Sequence, residues 1–145
     1  MQQIPLVKEG LKIFGVPVLE KKGFEADDLI ASLVRLIKEK YPWIEAIIVT
    51  GDLDTLQVVG KGVKVMTLRK GITDTAVYDE AAVRERFGFA PKLLADYKAL
   101  RGDPSDNIPG VRGIGDKTAK ELVQKYGSLE EIYKHLQKGT LNVQD

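Results

Sequence analysis

The chain has 145 residues, a formal net charge of +1 and no cysteine, and 43% of its residues are hydrophobic. This hydrophobic content suffices for a packed core and argues against disorder, while the lack of cysteine excludes disulfides, zinc thiolate sites and thiol catalysis. No apolar run approaches the ~20 residues that span a bilayer, so we expect an intracellular protein without a membrane partner. Because the net charge is near zero, only the local distribution of charge can indicate a nucleic-acid partner.

Helices and strands alternate in the predicted first part of the chain. Apolar residues at helical spacing predict helices over residues 3–14 and 25–40, and Pro17 favours an edge strand for residues 16–19. The second helix is predicted to bury Ile30, Leu33, Val34 and Ile37. Residues 44–50 are almost continuously apolar, which is typical of a strand buried on both faces in a parallel sheet. A short helix over residues 56–59 follows, and then strands over 63–68 and 73–78 joined by a turn at 69–71.

The remainder of the chain is predicted to be helical. Asp79 caps a helix that ends at Gly88, and Pro91 opens a helix that reaches Leu100. Asp116 is predicted to cap a third helix, and residues 128–131 form a capping box for the last one. The side chains predicted to be buried in these helices are Leu93, Leu94, Tyr97, Leu100, Ala119, Leu122, Val123, Tyr126, Leu129, Ile132 and Leu136. We therefore expect an α/β portion over residues 1–90, with a partial, mostly parallel sheet flanked by helices, and an all-helical lobe over 91–145.

Three groups of acidic residues stand out: Glu25, Asp27 and Asp28; Asp52 and Asp54; and Asp103 and Asp106. The first group opens a helix that follows a strand, and the second directly follows the strand predicted to be buried. Because open α/β sheets place their sites at the carboxyl ends of parallel strands, we expect these carboxylates to share one pocket. Divalent cations would relieve their repulsion, and oxygen ligands without His or Cys favour Mg²⁺ or Mn²⁺. Two such ions ~4 Å apart can clamp the attacking and leaving oxygens of a phosphodiester.

Each acidic group also has a purely structural interpretation. Acids in the first turn of a helix complement its macrodipole, and an Asp-x-Asp sequence after a strand is commonly a solvated turn. Asp103 and Asp106 can simply cap a turn. The metal site is favoured only because all three groups fall where an α/β sheet places its chemistry.

A glycine-rich segment, the glycine hairpin (residues 110–115), precedes the helix that begins at Asp116. Glycine lets backbone amides approach a ligand closely, and a helix start presents amides to anions, so the segment suits a nucleic-acid phosphate. Basic side chains beside it would add charge without reading the base sequence. The residues predicted to bind DNA are Gly110, Arg112, Gly113, Ile114, Gly115, Lys117 and Thr118. The alternative interpretation is a tight packed connection between two helices.

Three stretches of the chain carry a family resemblance. Residues 23–28 (Gly-Phe-Glu-Ala-Asp-Asp), 50–57 (Thr-Gly-Asp-Leu-Asp-Thr-Leu-Gln) and 102–111 (Gly-Asp-Pro-Ser-Asp-Asn-Ile-Pro-Gly-Val) resemble the 5′ nuclease domain of bacterial DNA polymerase I. The wider family includes phage 5′ exonucleases and flap endonucleases, and the resemblance covers almost the whole chain in order. It implies a PIN-like 5′ nuclease fold, in which residues 113–132 resemble the family's helix-three-turn-helix, or helix-hairpin-helix, DNA-binding element.

The resemblance implies a structure-specific nuclease that cleaves 5′ flaps and 5′ ends of DNA with two divalent metals and leaves 5′ phosphates. Its substrates would be flapped, nicked or 5′-ended duplexes in replication and repair, so we expect it in the cytoplasm, associated with the nucleoid. The motif match implies that the first metal is held by Glu25, Asp27 and Asp28, and that the second is served mainly by Asp52, Asp54, Asp103 and Asp106. Residues 113–118 would grip duplex DNA, and members of this family can hold a monovalent cation such as K⁺ there.

The chain departs from the family pattern at its start. The family places a strand with an aspartate, a second aspartate and a basic helical arch before the matched segment, whereas this chain begins with Met1-Gln2-Gln3. We therefore expect a fragment or a reduced relative whose catalysis needs these parts, for example from another chain. The loss of an inner strand would expose a sheet edge that invites pairing with a second copy.

Two other functions stay open on the sequence. In the first, the chain is a non-catalytic DNA-binding module whose acids hold at most one loose metal. In the second, it is a haloacid-dehalogenase-like phosphatase, because Asp52-Leu53-Asp54-Thr55 follows a predicted strand as that family's nucleophile loop does. The phosphatase is disfavoured because its late acidic motif should follow an apolar strand, and residues 96–101 are helix-like.

Overall fold

The computed structural model describes residues 3–70 and 74–141, so the predictions for Gly71, Thr73 and the last residues lie partly outside the described part. Its elements, in chain order, are α1 (Gln3–Ile13), α2 (Ala26–Lys40), β1 (Ala46–Val49), β2 (Val63–Lys70), β3 (Asp74–Tyr78), α3 (Glu80–Phe87), α4 (Leu94–Arg101), α5 (Asp116–Tyr126) and α6 (Leu129–Gln137). Three short 3-10 turns lie at Leu53–Val58, Pro91–Leu93 and Pro104–Asp106.

The strands form a small mixed sheet in the order β1-β2-β3. β1 runs parallel to β2, with Val49 opposite Met66, and β3 runs antiparallel to β2, with Val77 opposite Met66. The parallel pair confirms the α/β architecture expected from the apolar run at residues 44–50. It also places the segment after β1, which carries Asp52 and Asp54, at a carboxyl end of the sheet.

Only one face of the sheet is covered by the described residues. Ile48 is 8% exposed and Val65 is fully buried, and both point into the core. On the opposite face Val49 is 65% exposed and Val77 is 50% exposed. The prediction that β1 is buried on both faces is therefore wrong, because β1 is an edge strand and no described layer packs on its second face.

The segment before α2 also differs from the prediction. Residues 16–19 form no strand in the described part of the chain, since an extended segment needs a partner strand and none lies beside it. α1 has the expected length, but none of its residues is buried, and Phe14 just after it is 84% exposed. In α2 the predicted apolar stripe packs only partly against the core, and Leu33 is exposed.

A single apolar core links the covered face of the sheet to the helices, and its largest fully buried side chains are Leu56, Val65, Val83, Tyr97 and Val123. α4 lies at the centre of this arrangement, because it packs against both α5 and the 3-10 turn Leu53–Val58. That position brings α4 next to the acidic segment after β1 on one side and next to the start of α5 on the other.

Helix ends mostly follow the predicted capping pattern. The Asp79 carboxylate accepts a 2.9 Å bond from the Ala82 amide, and Gly88 ends α3 in the left-handed conformation. α5 is capped by Gly115, one residue before the predicted cap Asp116. Ser128 is the cap residue of α6 but makes no side-chain cap bond, so the predicted capping box does not form. Leu136, predicted to be buried in α6, is 55% exposed.

Candidate active site

Three aspartates from two distant parts of the chain meet at the carboxyl end of the sheet. Asp54 lies in the 3-10 turn after β1, whereas Asp103 caps the start of the 3-10 turn after α4 and Asp106 is its last residue. One carboxylate oxygen from each of the three lies within 4.8 Å of the others. The set contains only hard oxygen donors, which is the ligand chemistry that Mg²⁺ and Mn²⁺ prefer. These residues therefore fit the divalent cation predicted from the sequence.

Lys98 holds two of these aspartates together. Its ammonium group donates to the Asp103 carboxylate over 2.6 Å and also contacts the Asp54 carboxylate. Burial alone would lower the pKa of Lys98, but its hydrogen bonds to Asp103 and Asp54 outweigh this effect and raise it. No motif in the sequence indicated Lys98, because its role depends on contacts made after folding. Its only local signal is its position five residues before Asp103.

Asp103 is the most completely hydrogen-bonded member of the set. Besides the bond from Lys98, its carboxylate accepts bonds from the amide and the hydroxyl of Ser105, at 3.1 and 2.5 Å. The hydrogen bond from Lys98, followed by that from Ser105, lowers the pKa of Asp103 from 3.8 to about 2. Asp103 is only 6% exposed. Its hydrogen bonds from Lys98 and Ser105 keep the carboxylate ionised and in a fixed orientation, so it is a ready oxygen donor for a cation.

Asp27 faces the same region from the start of α2. Its pKa is raised first by burial and then by the nearby charges of Asp52 and Asp54. Asp27 lines a cleft of about 170 Å³ together with Gln57, and Gln57 also lines a neighbouring cleft of about 250 Å³ that contains Asp54 and Asp106. Members of the three predicted acidic groups therefore line two neighbouring clefts that share Gln57, with Asp27 and Asp28 in one and Asp54 and Asp106 in the other.

Several of these acids also have the local roles that the structural interpretation predicted. Glu25 and Asp28 form a capping box at the start of α2, in which the Asp28 carboxylate accepts a 3.0 Å bond from the Glu25 amide. The Asp52 carboxylate caps the following 3-10 turn through a 2.9 Å bond from the Asp54 amide. Capping leaves carboxylate lone pairs unused, so these roles do not prevent cation binding.

The base of the glycine hairpin packs tightly on the end of α4. A Cβ atom at Gly110 would lie 2.4 Å from the Gly102 nitrogen and 2.6 Å from the Arg101 carbonyl carbon. The Val111 amide donates to the Leu100 carbonyl oxygen over 2.8 Å. Gly110, which the sequence placed in the DNA-binding set, thus has a packing reason of its own to be glycine.

The tip of the hairpin and the start of α5 are exposed. A Cβ atom at Gly113 or Gly115 would meet nothing within 4 Å. Arg112 is exposed, and the Lys117 side chain is 88% exposed in the first turn of α5. Thr118 is half-buried, and Ile114 packs partly against the core. The exposed residues form a basic, glycine-lined surface that a phosphate backbone can approach.

One further contact at the hairpin was absent from the sequence interpretation. The Tyr97 hydroxyl on α4 donates to the Asp116 carboxylate at the start of α5. Tyr97 directly precedes Lys98 on α4. Of these two neighbours, Lys98 contacts the acidic site and Tyr97 contacts the start of α5.

Converging carboxylates at the end of an α/β sheet, followed by a glycine hairpin and paired helices, agree with the PIN-like 5′-nuclease fold expected from the sequence. The family model described as "5′-3′ exonuclease, N-terminal resolvase-like domain" matches residues 1–88, and "5′-3′ exonuclease, C-terminal SAM fold" matches residues 89–144. The chain belongs to the 5′-3′ exonuclease family. This membership and the helix before Asp103 rule out the haloacid-dehalogenase alternative.

Two curated relatives illustrate how much of a longer protein the chain matches. It is 46% identical over 138 residues to DNA polymerase I of Caldicellulosiruptor bescii, covering 94% of this chain and 16% of the relative. It is 44% identical over 130 residues to DNA polymerase I of Mycobacterium tuberculosis, covering 90% of this chain and 14% of the relative. The chain therefore spans about a sixth of the length of the relatives it matches.

Solved structures show the same fold at low sequence identity. A zinc-bound T5 5′-exonuclease is 24% identical with a TM-score of 0.78, over 99% of this chain and 51% of that chain. The catalytic core of Rad2 in complex with DNA substrate is 23% identical with a TM-score of 0.66, over 98% of this chain and 45% of that chain.

Among the residues that the structure describes, no helix has the length and apolarity needed to cross a bilayer.

Proposed function

We propose that this chain forms the metal-binding and DNA-gripping portion of a 5′-3′ exonuclease and flap endonuclease that hydrolyses DNA phosphodiesters in replication and repair. The observation that carries the proposal is the meeting of Asp54, Asp103 and Asp106, whose oxygens lie within 4.8 Å although the chain separates them. The relatives named DNA polymerase I support a role on DNA. They also favour a cytoplasmic location at the nucleoid.

The two acidic regions divide the expected pair of cations between them. Glu25, Asp27 and Asp28 would hold the first ion, and Asp52, Asp54, Asp103 and Asp106 would hold mainly the second. Bound Mg²⁺ or Mn²⁺ would supply Lewis-acid stabilisation of charge on the phosphodiester oxygens. Burial, and then the charges of Asp52 and Asp54, raise the pKa of Asp27, so a cation beside this carboxylate would offset a charge that the folded chain disfavours.

The protein's own residues prepare this site before a cation or DNA binds. Ser105 and Lys98 fix the Asp103 carboxylate, so little conformational freedom is lost when it takes a ligand. The Lys98 ammonium offsets part of the negative charge that would otherwise repel a phosphodiester.

The glycine hairpin and the start of α5 would grip the duplex backbone. Arg112 and Lys117 are exposed and basic, and the hairpin amides lie at the start of a helix, where anions bind favourably. A K⁺ ion held by this segment would add to the attraction for phosphate. We assign residues 1–90 to the α/β metal-binding portion and residues 91–145 to the DNA-binding lobe, which also contributes Asp103 and Asp106 to the metal site.

The open sheet face favours a partner chain. The Ala46 amide donates to Gly62 over 2.9 Å and the Thr50 amide donates to Met66 over 3.0 Å. In a parallel ladder, alternate residues bond to opposite sides, so the polar backbone groups of Ile47 and Val49 face the unpaired edge of β1. A strand from a second copy or another chain would satisfy these groups and cover the exposed apolar face.

The proposed strand pairing is tested by measuring the molecular mass in solution of the wild-type chain and of a Val49→Lys variant. The wild-type chain should form a dimer that the charged side chain disrupts. A monomeric wild-type chain that captures a separate strand peptide would identify the partner as another chain. A monomer that captures none would contradict the proposal.

The proposed activity is tested with a 5′-labelled flap DNA and either Mg²⁺ or Mn²⁺. We expect cleavage that leaves a 5′ phosphate, from the chain itself or after addition of a polypeptide carrying the family's N-terminal strand and arch. Asp103→Asn should remove this cleavage, whereas Asp74→Asn, an exposed aspartate on β3, should leave it unchanged. Absence of cleavage with and without the added polypeptide, in either metal, would contradict the proposed nuclease activity.

A non-catalytic DNA-binding module is the second candidate, favoured specifically by the exposed basic residues at the hairpin. In that case the chain would bind duplex DNA, and binding would weaken with salt as phosphate contacts release counterions. The double variant Arg112→Ala with Lys117→Ala would abolish it, and no condition would produce cleavage.

A further inference from the structure

The Tyr97 hydroxyl occupies a fixed position between α4 and α5. Tyr97 is 2% exposed, and its ring packs against the rings of Phe87 and Phe89 with centroids 6.0 and 5.5 Å apart. From this position the hydroxyl donates to a carboxylate oxygen of Asp116 in the first turn of α5. A ring held by two aromatic neighbours has little freedom, so its hydroxyl defines where the start of α5 lies.

Besides the Tyr97 hydroxyl, the Asp116 carboxylate has two cationic neighbours. The Lys120 ammonium lies 2.8 Å from its second carboxylate oxygen, and the Arg101 guanidinium lies 3.8 Å from the first. Arg101 also donates to the Tyr97 hydroxyl over 3.0 Å. The hydrogen bonds from Lys120 and then Tyr97 lower the pKa of Asp116, so the carboxylate stays ionised within this network.

The exposed tip of the glycine hairpin is therefore held to α4 at both ends. At its first end the Val111 amide bonds to the Leu100 carbonyl of α4 over 2.8 Å. At its second end Asp116 bonds to Tyr97 of the same helix. Lys98, the next residue of α4, contacts the acidic site. One helix thus sets the position of the hairpin relative to the carboxylates.

We propose that Tyr97 is a positioning residue whose bond to Asp116 fixes the hairpin on α4 and holds the Asp116 carboxylate away from a phosphate bound at the start of α5. The proposal rests on the DNA-binding role given above for this surface. An unpaired carboxylate in the first turn of the phosphate-binding helix would repel the DNA backbone. The bonds to Tyr97 and Lys120 keep that charge tied to the protein.

The first test needs no DNA and compares amide hydrogen exchange in the wild-type chain and in Tyr97→Phe. Loss of the hydroxyl should speed exchange in peptides that cover residues 110–118 and leave peptides that cover β1 unchanged. The matched control is Tyr78→Phe on β3, which removes a similarly buried hydroxyl that accepts a hydrogen bond from Arg86 on α3. This control should leave exchange in the hairpin at the wild-type rate.

The second test measures affinity for a 5′-flap duplex. Tyr97→Phe should weaken binding by about threefold to tenfold, which is within the range of one ordinary net hydrogen bond, since Lys120 still holds the Asp116 carboxylate. Adding Asp116→Asn to Tyr97→Phe should restore part of the affinity, because it removes the negative charge of a carboxylate that then has only Lys120 and Arg101 to hold it. Tyr78→Phe should bind as tightly as the wild type.

The outcomes separate this proposal from the DNA-binding role itself. Unchanged hairpin exchange in Tyr97→Phe overturns the positioning role, whether or not the chain binds DNA. Faster exchange with unchanged affinity overturns the link to phosphate binding. A wild-type chain that binds no duplex at all contradicts the proposed function, while the exchange measurement still decides what Tyr97 does.

Discussion

The ammonium group of Lys98 on α4 donates to the carboxylate of Asp103, five residues later in the chain, over 2.6 Å. The same ammonium contacts Asp54, which is 44 residues away in sequence. Lys98 therefore compensates two acids that lie where a cation is expected to bind. Lys98 and a divalent cation would compensate the same two carboxylates. The loss of stability on removing Lys98 should therefore depend on whether the cation is bound.

Replacing Lys98 with Met should destabilise the cation-free chain by about 1–3 kcal/mol, because two carboxylates lose their compensating charge in a site that is still partly exposed. Added Mn²⁺ should recover more stability in this variant than in the wild type, since the ion replaces the lost charge. Denaturant unfolding with and without Mn²⁺ measures both effects. Lys64→Met is the control, because its ion pair with Glu45 is exposed and should matter little. Equal responses to Mn²⁺ in wild type and Lys98→Met would contradict the shared role.

The stability contributed by Asp103 should disappear in acid. Its pKa is lowered from 3.8 to about 2 in the folded chain, so its contribution is fully present above the unfolded pKa and is lost as the pH falls through the folded one. The difference in unfolding free energy between the wild type and Asp103→Asn should therefore shrink from about pH 5 to about pH 2. Other acids cancel in this difference because both chains carry them. A difference that stays constant with pH would show that the Asp103 charge contributes nothing.

Ionisation of Asp27 should destabilise the folded chain, in contrast to ionisation of Asp103. Its raised pKa means that burial and the charges of Asp52 and Asp54 oppose its ionised form. Asp27→Asn should therefore stabilise the cation-free chain at neutral pH by about 0.5 kcal/mol or less, and should reduce the rise in melting temperature caused by Mn²⁺. Thermal unfolding in EDTA and in Mn²⁺ tests both. Glu39→Gln, at the exposed far end of α2, is the control and should change neither value.

Two glycines of the hairpin should respond differently to the same substitution. Both have positive φ angles, +67° at Gly110 and +87° at Gly113, so alanine is strained at either position. At Gly113 the added methyl group meets no atom within 4 Å, so the cost should be only the backbone strain of about 1 kcal/mol. At Gly110 it would also collide with the backbone of residues 101 and 102, which should raise the cost by about 1–3 kcal/mol.

Denaturant unfolding of Gly110→Ala and Gly113→Ala measures these two costs. If both variants lose the same stability, the hairpin base does not pack on α4 as described. If Gly113→Ala loses only the small strain cost in stability but loses most of the DNA affinity, the exposed tip contacts the backbone of the duplex.

Local patterns in the sequence were sufficient for most of the helices and strands. Helical spacing placed α1, α2 and α5 within a few residues, and Asp79 and Gly88 marked the ends of α3. These predictions succeed because periodicity, caps and breakers act over a few residues. The family resemblance followed from short motifs at residues 23–28, 50–57 and 102–111, which are equally local.

The predictions that failed depended on what covers each element. An apolar run does not show whether a second layer will pack on it, so the run at β1 was interpreted as buried although Val49 is 65% exposed. In the same way Pro17 and its neighbours suggested a strand, but a strand exists only where a partner lies beside it.

The sequence by itself determined the carboxylates available to the site and the glycine hairpin, because residue type and spacing carry that information. Only the tertiary structure decided how they are arranged. Lys98 contacts Asp54 across 44 residues, and Tyr97 contacts Asp116 across 19. Such pairs form because α4 packs against both the turn after β1 and the start of α5, and no local periodicity specifies which helix will occupy that place.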